Sequence, residues 1–252
     1  MRPGNLITIA GPSGKGKSLM AQWQLMSCFS DQDALGLMCA LEMTAPEILE
    51  RLDTMVTHFS HKLLSQRQLA DDQVELWRRL AHQFTSMRND IVIKDDLLGC
   101  TTDRVFAEIT RLKPDICVVD YVQLMRSRQG YASQWQGLVD ITNDLKQSAV
   151  ATDSVVIMVS QDGRDSFQNG SSETNMGGSI SVYQVADIYI GMHQDEAMYD
   201  AGRMEVRLLK NRRGAKMNGS GKSANLIWKP STMTFRYDDG RESQSDNFLR
   251  VA

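Results

Sequence analysis

The fold is decided by the stretch Leu6-Ile7-Thr8-Ile9-Ala10-Gly11-Pro12-Ser13-Gly14-Lys15-Gly16-Lys17-Ser18. Its first five residues predict a buried strand, and the next eight match the phosphate-loop pattern G-x-x-x-x-G-K-[ST]. Glycines at both ends of the loop let backbone N–H groups and the following helix N-terminus approach a phosphate chain. Lys17 would reach the outer phosphates, and the Ser18 hydroxyl would help to bind a Mg²⁺ ion that bridges them. Residues 11–18 therefore predict a site for ATP or another nucleoside triphosphate with Mg²⁺.

A second stretch resembles this loop only in part. Gly219-Ser220-Gly221-Lys222-Ser223 also reads GSGKS, but Lys216 stands where the pattern requires its first glycine. The stretch lies in a polar segment between strand-like sequences. We therefore interpret it as a flexible loop and not as a second phosphate site.

Composition and charge narrow the possible functions. The chain has 252 residues, of which 42% are hydrophobic and 23% are charged, as is usual for a soluble globular protein. No apolar run approaches the roughly 20 residues that a membrane-spanning helix needs. The net charge of −3 is not typical of a protein that binds nucleic acid over its whole surface. Any contact with nucleic acid must therefore be local.

The chain also gives no sign of internal division or of export. No Pro-rich, Ser-rich or low-complexity linker is present, so we predict one domain over residues 1–252 with a loose tail from roughly residue 240. The N-terminus runs directly into the first strand and leaves no room for a signal peptide, so we expect a cytoplasmic protein. Four widely spaced cysteines lack zinc-ligand spacing, and we interpret them as free, buried thiols: Cys28, Cys39, Cys100 and Cys117.

Apolar runs alternate along the chain with segments that have helical periodicity or helix-start signals. This alternation predicts an α/β fold in which a mostly parallel sheet is flanked by helices. Strand-like runs near the C-terminus predict antiparallel strands appended to that sheet. The predicted parallel strands are Leu6–Ala10, Leu35–Leu41, Ile91–Ile93, Ile116–Val119, Val155–Val159 and Ile188–Gly191; the antiparallel ones are Met204–Leu209, Ala224–Trp228 and Met233–Tyr237.

Helix and loop signals fill the segments between these strands. A helix is predicted over Lys17–Phe29, and a second one begins at Thr44, which forms a capping box with Glu47. Asp162–Ser179 predicts a long mobile loop, and Lys210–Lys222 predicts a cationic loop. Two segments place apolar side chains on one helix face, which predicts core packing: Val74, Trp77, Leu80, Ala81 and Phe84 within Asp72–Met87, and Trp135, Leu138, Ile141 and Leu145 before the fifth strand.

Polar side chains end three of the predicted parallel strands. Asp120 closes an apolar strand and is the candidate carboxylate for the Mg²⁺ site, although a strand-terminating turn aspartate is the simpler alternative. Glu42 follows the second strand and is the candidate base for the attacking water, although by itself it could be a solvated acid before a helix. Gln161 ends the fifth strand, where its amide could sense the γ-phosphate. The carboxyl ends of parallel strands share one edge of a sheet, where α/β proteins bind ligands. We therefore expect these three residues to lie together.

Four runs occur in an order and at separations that resemble the RecA-like motor domain of DnaB-type replicative helicases. They are Leu41-Glu42-Met43-Thr44, Val119-Asp120-Tyr121-Val122-Gln123-Leu124-Met125, Val159-Ser160-Gln161 and Lys210-Asn211-Arg212-Arg213-Gly214. The resemblance covers nearly the whole chain. It implies a RecA-like P-loop NTPase that forms a homo-oligomeric ring, usually of six subunits, hydrolyses NTP at subunit interfaces and pulls single-stranded DNA through its centre.

The resemblance also implies a role for each matching residue. Glu42 matches the family's catalytic glutamate, Asp120 its metal-site aspartate and Gln161 its phosphate sensor. Lys210 and Arg212 match a lysine and an arginine that reach from one subunit into the site of the next, where an arginine finger stabilises charge in the transition state. A solvated basic hairpin is the alternative, and it suits Arg213 and Lys216 better.

DNA contacts are implied on two segments that follow the metal-site strand and the sensor strand. The first is Arg126-Ser127-Arg128-Gln129-Gly130-Tyr131, where arginines and an aromatic ring suit a strand of nucleic acid. The second runs from Arg164 to Ser181, where the backbone amides of Gly177, Gly178 and Ser179 could hold phosphates. This segment lacks the basic residue that family members commonly carry there. A solvated loop is the alternative for Arg126 and Arg128.

The family also implies a primase or other replication proteins as partners. The sequence begins at the phosphate-loop strand, without the N-terminal domain and linker helix that help such helicases to close their rings. This keeps open a helicase-associated module with little turnover. A RecA/RadA/KaiC-like ATPase in recombination or regulation is a second alternative, although the L-E-M and D-Y-V-Q-L-M runs favour the helicase over it.

Overall fold

A nine-stranded sheet forms the centre of the molecule. The computed structural model describes residues 1–28, 34–86, 90–129, 134–161, 180–214 and 223–238. Its strand order is β3-β2-β4-β5-β1-β6-β7-β8-β9. The strands are β1 (Leu6–Gly11), β2 (Leu35–Ala40), β3 (Asp90–Lys94), β4 (Ile116–Asp120), β5 (Val155–Gln161), β6 (Ile188–His193), β7 (Arg203–Asn211), β8 (Ser223–Lys229) and β9 (Thr234–Tyr237).

The predicted α/β class is confirmed. The first six strands pair in parallel, and the last three are added by antiparallel pairing. Helices connect the parallel strands, as crossover connections require. They are α1 (Lys17–Ser27), α2 (Ala45–Thr57), α3 (His61–Ser65), α4 (Asp71–Ser86), α5 (Thr102–Leu112), α6 (Gln134–Thr152), α7 (Ile180–Val185) and α8 (Glu196–Asp200), with a 3₁₀ helix at Val122–Leu124.

Apolar side chains fill both faces of the sheet. One cluster joins Ile109 of α5 and Leu145 of α6 to the sheet, and the other joins Leu25 of α1 and Ile48 of α2 to the opposite face. Every residue of β1 is buried, as expected for a central parallel strand covered on both sides. The phosphate-loop strand is therefore fixed in the middle of the core.

Two details of the sequence analysis are wrong. The predicted core face of α4 is only half-buried at Val74, Trp77, Leu80 and Ala81, because this helix contacts α2 and lies outside the two buried clusters. Lys210 does not begin a loop: β7 continues to Asn211 because its antiparallel pairing with β6 continues to that residue.

Other local predictions agree with the structure. In the predicted capping box, the Thr44 N–H donates to Glu47 Oε2 at 2.8 Å. Ile141 and Leu145 are buried, and all four cysteines are free, with Cys28 half-buried and the other three buried. Within the described part of the chain, no helix is long and apolar enough to cross a bilayer. The Asp162–Ser179 segment, the second GSGKS stretch before Ser223, the tail from residue 240, and the Phe84 and Trp135 side chains lie outside what is described.

Candidate functional site

Four neighbouring strands bring the predicted phosphate-site residues to one edge of the sheet. β2, β4, β5 and β1 are consecutive in the strand order. Gly11 pairs with Gln161 across β1 and β5, and Ala40 pairs with Asp120 across β2 and β4. The N–H of Leu41, next to Glu42, donates to the Asp120 carbonyl at 2.8 Å. Parallel register therefore aligns these strand ends, as the sequence analysis expects.

The loop after β1 has the backbone geometry that its glycines suggest. Gly16 is the N-cap of α1 and has φ +73°, a left-handed conformation that favours glycine. A Cβ at Gly11 would lie 2.8 Å from the carbonyl oxygen of Met192, so only glycine fits beside β6. The loop thus ends directly at the N-terminus of α1, where the first backbone N–H groups of a helix favour the binding of anions.

Lys17 and Ser18 lie at the start of α1 and face the polar strand ends. Lys17 is 9% exposed, and its Nζ donates to the carbonyl oxygen of Pro12 at 2.7 Å. The Ser18 hydroxyl donates to Asp120 Oδ1 at 3.0 Å. The structure thus brings together the hydroxyl and the carboxylate that the sequence analysis assigns to Mg²⁺.

A cleft of about 520 Å³ opens beside these groups. This volume is in the range of small-molecule sites. Its floor and walls come from the phosphate loop, from the strand ends and from the C-terminal strands. The lining residues are Ser13, Gly14, Gly16, Lys17, Ser18, Leu19, Glu42, Arg51, Tyr121, Val159, Gln161, Trp228, Pro230 and Met233.

The electrostatics of Asp120 fit a cation site. Burial raises the pKa of this carboxyl to about 6, and the negative charge of Glu42 adds to the effect, against the Ser18 hydrogen bond and the charges of Arg51 and Lys17. A divalent cation would favour the ionised form. A carboxylate and a hydroxyl are hard oxygen ligands, and Mg²⁺ uses few such groups beside its waters and phosphate oxygens. The residues present therefore fit Mg²⁺.

Arg51 is a cleft residue that the sequence analysis did not identify. It lies on α2 and is half-buried, and burial lowers the pKa of its guanidinium while the charges of Asp120, Glu47 and Glu42 act in the opposite direction. A signal was present in the sequence. Arg51 stands three residues after Ile48 and four before Met55, both buried, so helical spacing places it on the inward side.

Part of the cleft wall is apolar. Trp228 stacks on Phe235 with ring centroids 4.8 Å apart, and Trp228 lines the cleft together with Pro230 and Met233. A Cβ at Gly16 would lie within 4.0 Å of both aromatic rings. An apolar aromatic wall thus adjoins the phosphate loop, so the cleft combines groups suited to phosphates with a surface suited to a planar ring.

Lys210 and Arg212 lie at the opposite edge of the sheet. The Arg212 N–H donates to the Asp187 carbonyl at 2.8 Å, and the Asp187 N–H donates to the carbonyl of Leu6, the first residue of β1, at 2.9 Å. The phosphate loop follows the last residue of β1. A strand rises about 3.3 Å per residue, so the two ends of this six-residue strand are ~17 Å apart. The structure therefore does not bring Lys210 and Arg212 into the cleft of their own chain.

Both basic residues have partners at that edge. Arg212 Nη1 lies 3.2 Å from Asp187 Oδ1, and Lys210 Nζ donates at 2.7 Å to the carbonyls of Tyr183 and Gln184. Asp187 also accepts from the Leu6 N–H at 2.9 Å and from Lys146 Nζ at 2.6 Å. Arg212 keeps 52% of its side chain exposed. It is thus anchored and still accessible to another molecule.

The predicted DNA-contacting residues are described only in part. Arg126 is exposed, and its N–H donates to the Cys100 carbonyl at 2.9 Å. Arg128 is not an unpartnered cation, because its Nε donates to Asp144 Oδ2 at 2.9 Å and its Nη1 lies 3.1 Å from Asp103 Oδ1. The Asp144 hydrogen bond raises the pKa of Arg128 above its ordinary value. Arg164, Gly177, Gly178 and Ser179 lie outside the described residues.

Comparisons with known sequences agree on one family. A family model described as DnaB-like helicase C terminal domain matches residues 1–237. The chain is 26% identical over 202 residues to the replicative DNA helicase DnaB of Mycobacterium leprae, an alignment that covers 75% of this chain and 33% of that protein. It is 25% identical over 228 residues to the DnaB of Haemophilus influenzae, covering 85% of this chain and 48% of that protein. The chain thus spans between a third and a half of these relatives.

Solved structures show the same fold. One of them, described as an ATPase domain, aligns with a TM-score of 0.79 at 23% identity, covering 93% of this chain and 85% of that one. A DnaB-like replicative helicase, whose structure was described with its primase interactions, aligns with a TM-score of 0.78 at 23% identity, covering 93% of this chain and 57% of that one. Both alignments cover 93% of this chain and confirm the predicted fold.

Proposed function

The chain belongs to the family of DnaB-like helicase C-terminal domains, and on that premise we propose that it is a DNA helicase motor. It hydrolyses ATP or another nucleoside triphosphate at subunit interfaces and moves along single-stranded DNA during replication. The observation that carries this proposal is the cleft, where the phosphate loop meets Glu42, Asp120 and Gln161 at the ends of four neighbouring strands.

The polar part of the cleft suits phosphoryl transfer to water. Residues 11–18 and the N-terminus of α1 hold the phosphates, and Lys17 turns from Pro12 to the outer phosphates. Glu42 accepts the proton of the attacking water, and Gln161 orients that water or the γ-phosphate. Hydrolysis joins the water oxygen to the γ-phosphorus and releases the nucleoside diphosphate.

Ser18 and Asp120 would hold the Mg²⁺ ion, which neutralises charge on the β- and γ-phosphates when it is bound. Arg51 of α2 lines the same cleft, and its positive charge balances the carboxylates of Glu42 and Asp120. The stacked Trp228 ring takes the nucleobase. The site thus has a place for the phosphates, for their metal ion and for the base.

Charge stabilisation by an arginine comes from a neighbouring subunit. Arg212 lies at the far end of β1 from its own phosphate loop, beyond the reach of its side chain, yet half of that side chain is exposed. A head-to-tail contact places the arginine edge of one copy against the cleft of the next, and such contacts form a ring when the rotation between copies closes. The family favours a homo-oligomeric ring of six subunits, with Lys210 beside Arg212 at each interface.

The remaining elements of the proposal follow the family. Single-stranded DNA passes along the segments of Arg126 and Arg128 and of Arg164, Gly177, Gly178 and Ser179. Arg128 can exchange one of its two carboxylate partners for a phosphate oxygen. A primase is a proposed partner, since one structural neighbour was described with its primase interactions. The proposed place of action is the cytoplasm.

Phosphate release with and without single-stranded DNA tests the motor function. We expect a short oligonucleotide to stimulate ATP hydrolysis by the wild-type chain. Lys17→Ala should lower the rate by about 10²–10³-fold, because it removes a preorganised cation from the developing charge. The matched control Lys62→Ala changes an exposed lysine on α3 and should retain the wild-type rate. A rate that DNA leaves unchanged, or that survives in Lys17→Ala, would contradict the proposal.

A further inference from the structure

Gln123 connects the strand that carries the metal-site aspartate to the strand that carries the sensor. It lies in the 3₁₀ helix directly after β4, three residues beyond Asp120. Its side-chain amide makes three hydrogen bonds to the end of β5. Nε2 donates to Ser160 Oγ and to the Gln161 carbonyl, both at 3.0 Å, and Oε1 accepts from the Gln161 N–H at 3.2 Å.

The orientation of this amide is fixed by its backbone partners. If the Gln123 amide turned over, its oxygen would face the Gln161 carbonyl and its NH₂ group would face the Gln161 N–H. Both contacts would be repulsive, because an acceptor would face an acceptor and a donor would face a donor. The Gln123 side chain thus pairs with both main-chain groups of Gln161, as a residue of a neighbouring strand would.

The Gln123 hydrogen bonds to Gln161 begin where the backbone pairing between β4 and β5 has ended. The parallel register between β4 and β5 runs only from Ile116–Val155 to Val119–Met158. On the other side of β5, pairing with β1 continues to Gln161, which lies opposite Gly11. Among the described residues, Gln123 thus supplies the hydrogen bonds that hold the last residue of β5 on the side away from β1. Gln123 therefore fixes the backbone from which the Gln161 side chain reaches the cleft.

We propose that Gln123 is a positioning residue for hydrolysis, acting through Gln161 without touching the nucleotide. Gln123 is exposed and is not among the described residues that line the cleft. Its two backbone hydrogen bonds set the direction of the Gln161 side chain toward the γ-phosphate or its attacking water. This inference rests on the proposed NTPase function, and it adds to that function a residue which controls the rate of the chemical step.

Steady-state hydrolysis by the full chain tests the proposal with two variants of Gln123. Gln123→Met keeps the length of the side chain and removes all three hydrogen bonds, so we expect kcat to fall about tenfold, since small misplacements at a reacting centre are costly. Gln123→Glu keeps an acceptor for the Gln161 N–H but places a carboxylate oxygen against the Gln161 carbonyl, a repulsive contact, and should give a loss at least as large. KM should stay within about twofold in both, because the groups that bind substrate are unchanged. Gln66→Met, an exposed glutamine at the end of α3, is the matched control.

A double-mutant cycle distinguishes positioning from a general structural effect. If Gln123 acts through Gln161, then adding Gln123→Met to Gln161→Ala should lower kcat no further than Gln161→Ala alone. Melting temperatures should stay within about 2 °C of wild type, since the substituted side chains are exposed. Multiplicative losses in the double variant, a raised KM with unchanged kcat, or wild-type kinetics in Gln123→Met would each overturn the positioning role alone. A wild-type chain without turnover would overturn the proposed function together with it.

Discussion

The two edges of the parallel sheet, formed by the carboxyl ends and the amino ends of its strands, differ in how their charged groups are paired. At the carboxyl end of β1, Lys17, Glu42 and Gln161 line an open cleft. At the amino end of β1, the Asp187 side chain is 7% exposed and forms ion pairs with both Lys146 and Arg212. The first edge has polar groups that face a cleft, whereas the second pairs its charged groups with one another.

The difference teaches how one chain can supply both sides of a shared site. In a shared site, the cleft edge would supply groups whose ionisation changes when a ligand binds, and burial there raises the pKa of Asp120 to about 6. The opposite edge needs a guanidinium in a fixed place, and Asp187 fixes Arg212 through both its backbone and its side chain. A contact between the two edges of successive copies would complete the charge balance that neither edge achieves with a phosphate chain alone.

Removal of the Arg212 side chain is the most direct test of this comparison. We expect Arg212→Ala to lower NTP hydrolysis by about 10³–10⁵-fold, as arginine fingers do. Glu42→Gln should also be inactive. In an equal random mixture of the two variants, about a quarter of the interfaces would combine an intact cleft with an intact arginine, so activity should partly return. The measurement is the rate of phosphate release by each variant and by the mixture.

The neighbouring Arg213→Ala provides the control, because this residue is exposed on the same turn. It should retain most of the wild-type rate. Full activity of Arg212→Ala, or a mixture no more active than its components, would show that the two edges do not meet in a shared site.

A smaller effect on nucleotide binding is expected from the aromatic wall of the cleft. Trp228→Ala should weaken binding of ATP about tenfold, since stacking of a base on an aromatic ring contributes ~1–3 kcal/mol. Binding of inorganic tripolyphosphate should be unchanged, because that ligand has no base. Titration calorimetry with both ligands measures the difference.

Trp23→Ala is the control for packing. Trp23 contacts the same Phe235 ring edge-on, but it is not among the described residues of the cleft. If Trp23→Ala weakens ATP binding as much as Trp228→Ala, then the aromatic cluster acts by supporting the fold and not by holding a base.

The smallest expected effect concerns the opposite edge and is a dependence on pH. Burial opposes ionisation of Asp187, but hydrogen bonds from Lys146 and the Leu6 N–H, with the charges of Lys146 and Arg212, lower its pKa below the ordinary 3.8. Its contribution to stability is therefore complete above that ordinary value and is lost as the pH falls through the lowered pKa. We expect Asp187→Asn to show a shallower decline of unfolding free energy below about pH 4.

Urea unfolding at several acidic pH values measures this slope. Asp72→Asn, which changes an exposed aspartate at the start of α4, should decline as the wild type does. If the unfolding free energy of Asp187→Asn falls with pH as steeply as that of the wild type, then the ionised Asp187 side chain does not stabilise this edge of the sheet.

Most residues of the cleft edge could be predicted because the sequence patterns that mark them span only a few residues. The phosphate loop is a contiguous pattern, and Glu42, Asp120 and Gln161 each follow an apolar strand, so parallel topology alone suffices to gather them. Arg51 was missed because its helical spacing from Ile48 and Met55 indicates an inward side but does not show that this side meets the cleft. The α4 face was misjudged since periodicity shows that a face is apolar but not whether the sheet or another helix covers it. The catalytic and binding roles of all these residues stay predictions.

The amino-acid sequence by itself determined the α/β class, the family and the residues that meet at the carboxyl ends of the strands, because these depend on patterns within a few residues and on the common direction of parallel strands. Only the tertiary structure decided that Arg212 lies a full strand length from its own phosphate loop and that Gln123 holds the backbone of Gln161. Those facts depend on strand order and register, which bring together residues far apart in the chain. Side-chain hydrogen bonds then fix geometry that no local pattern encodes.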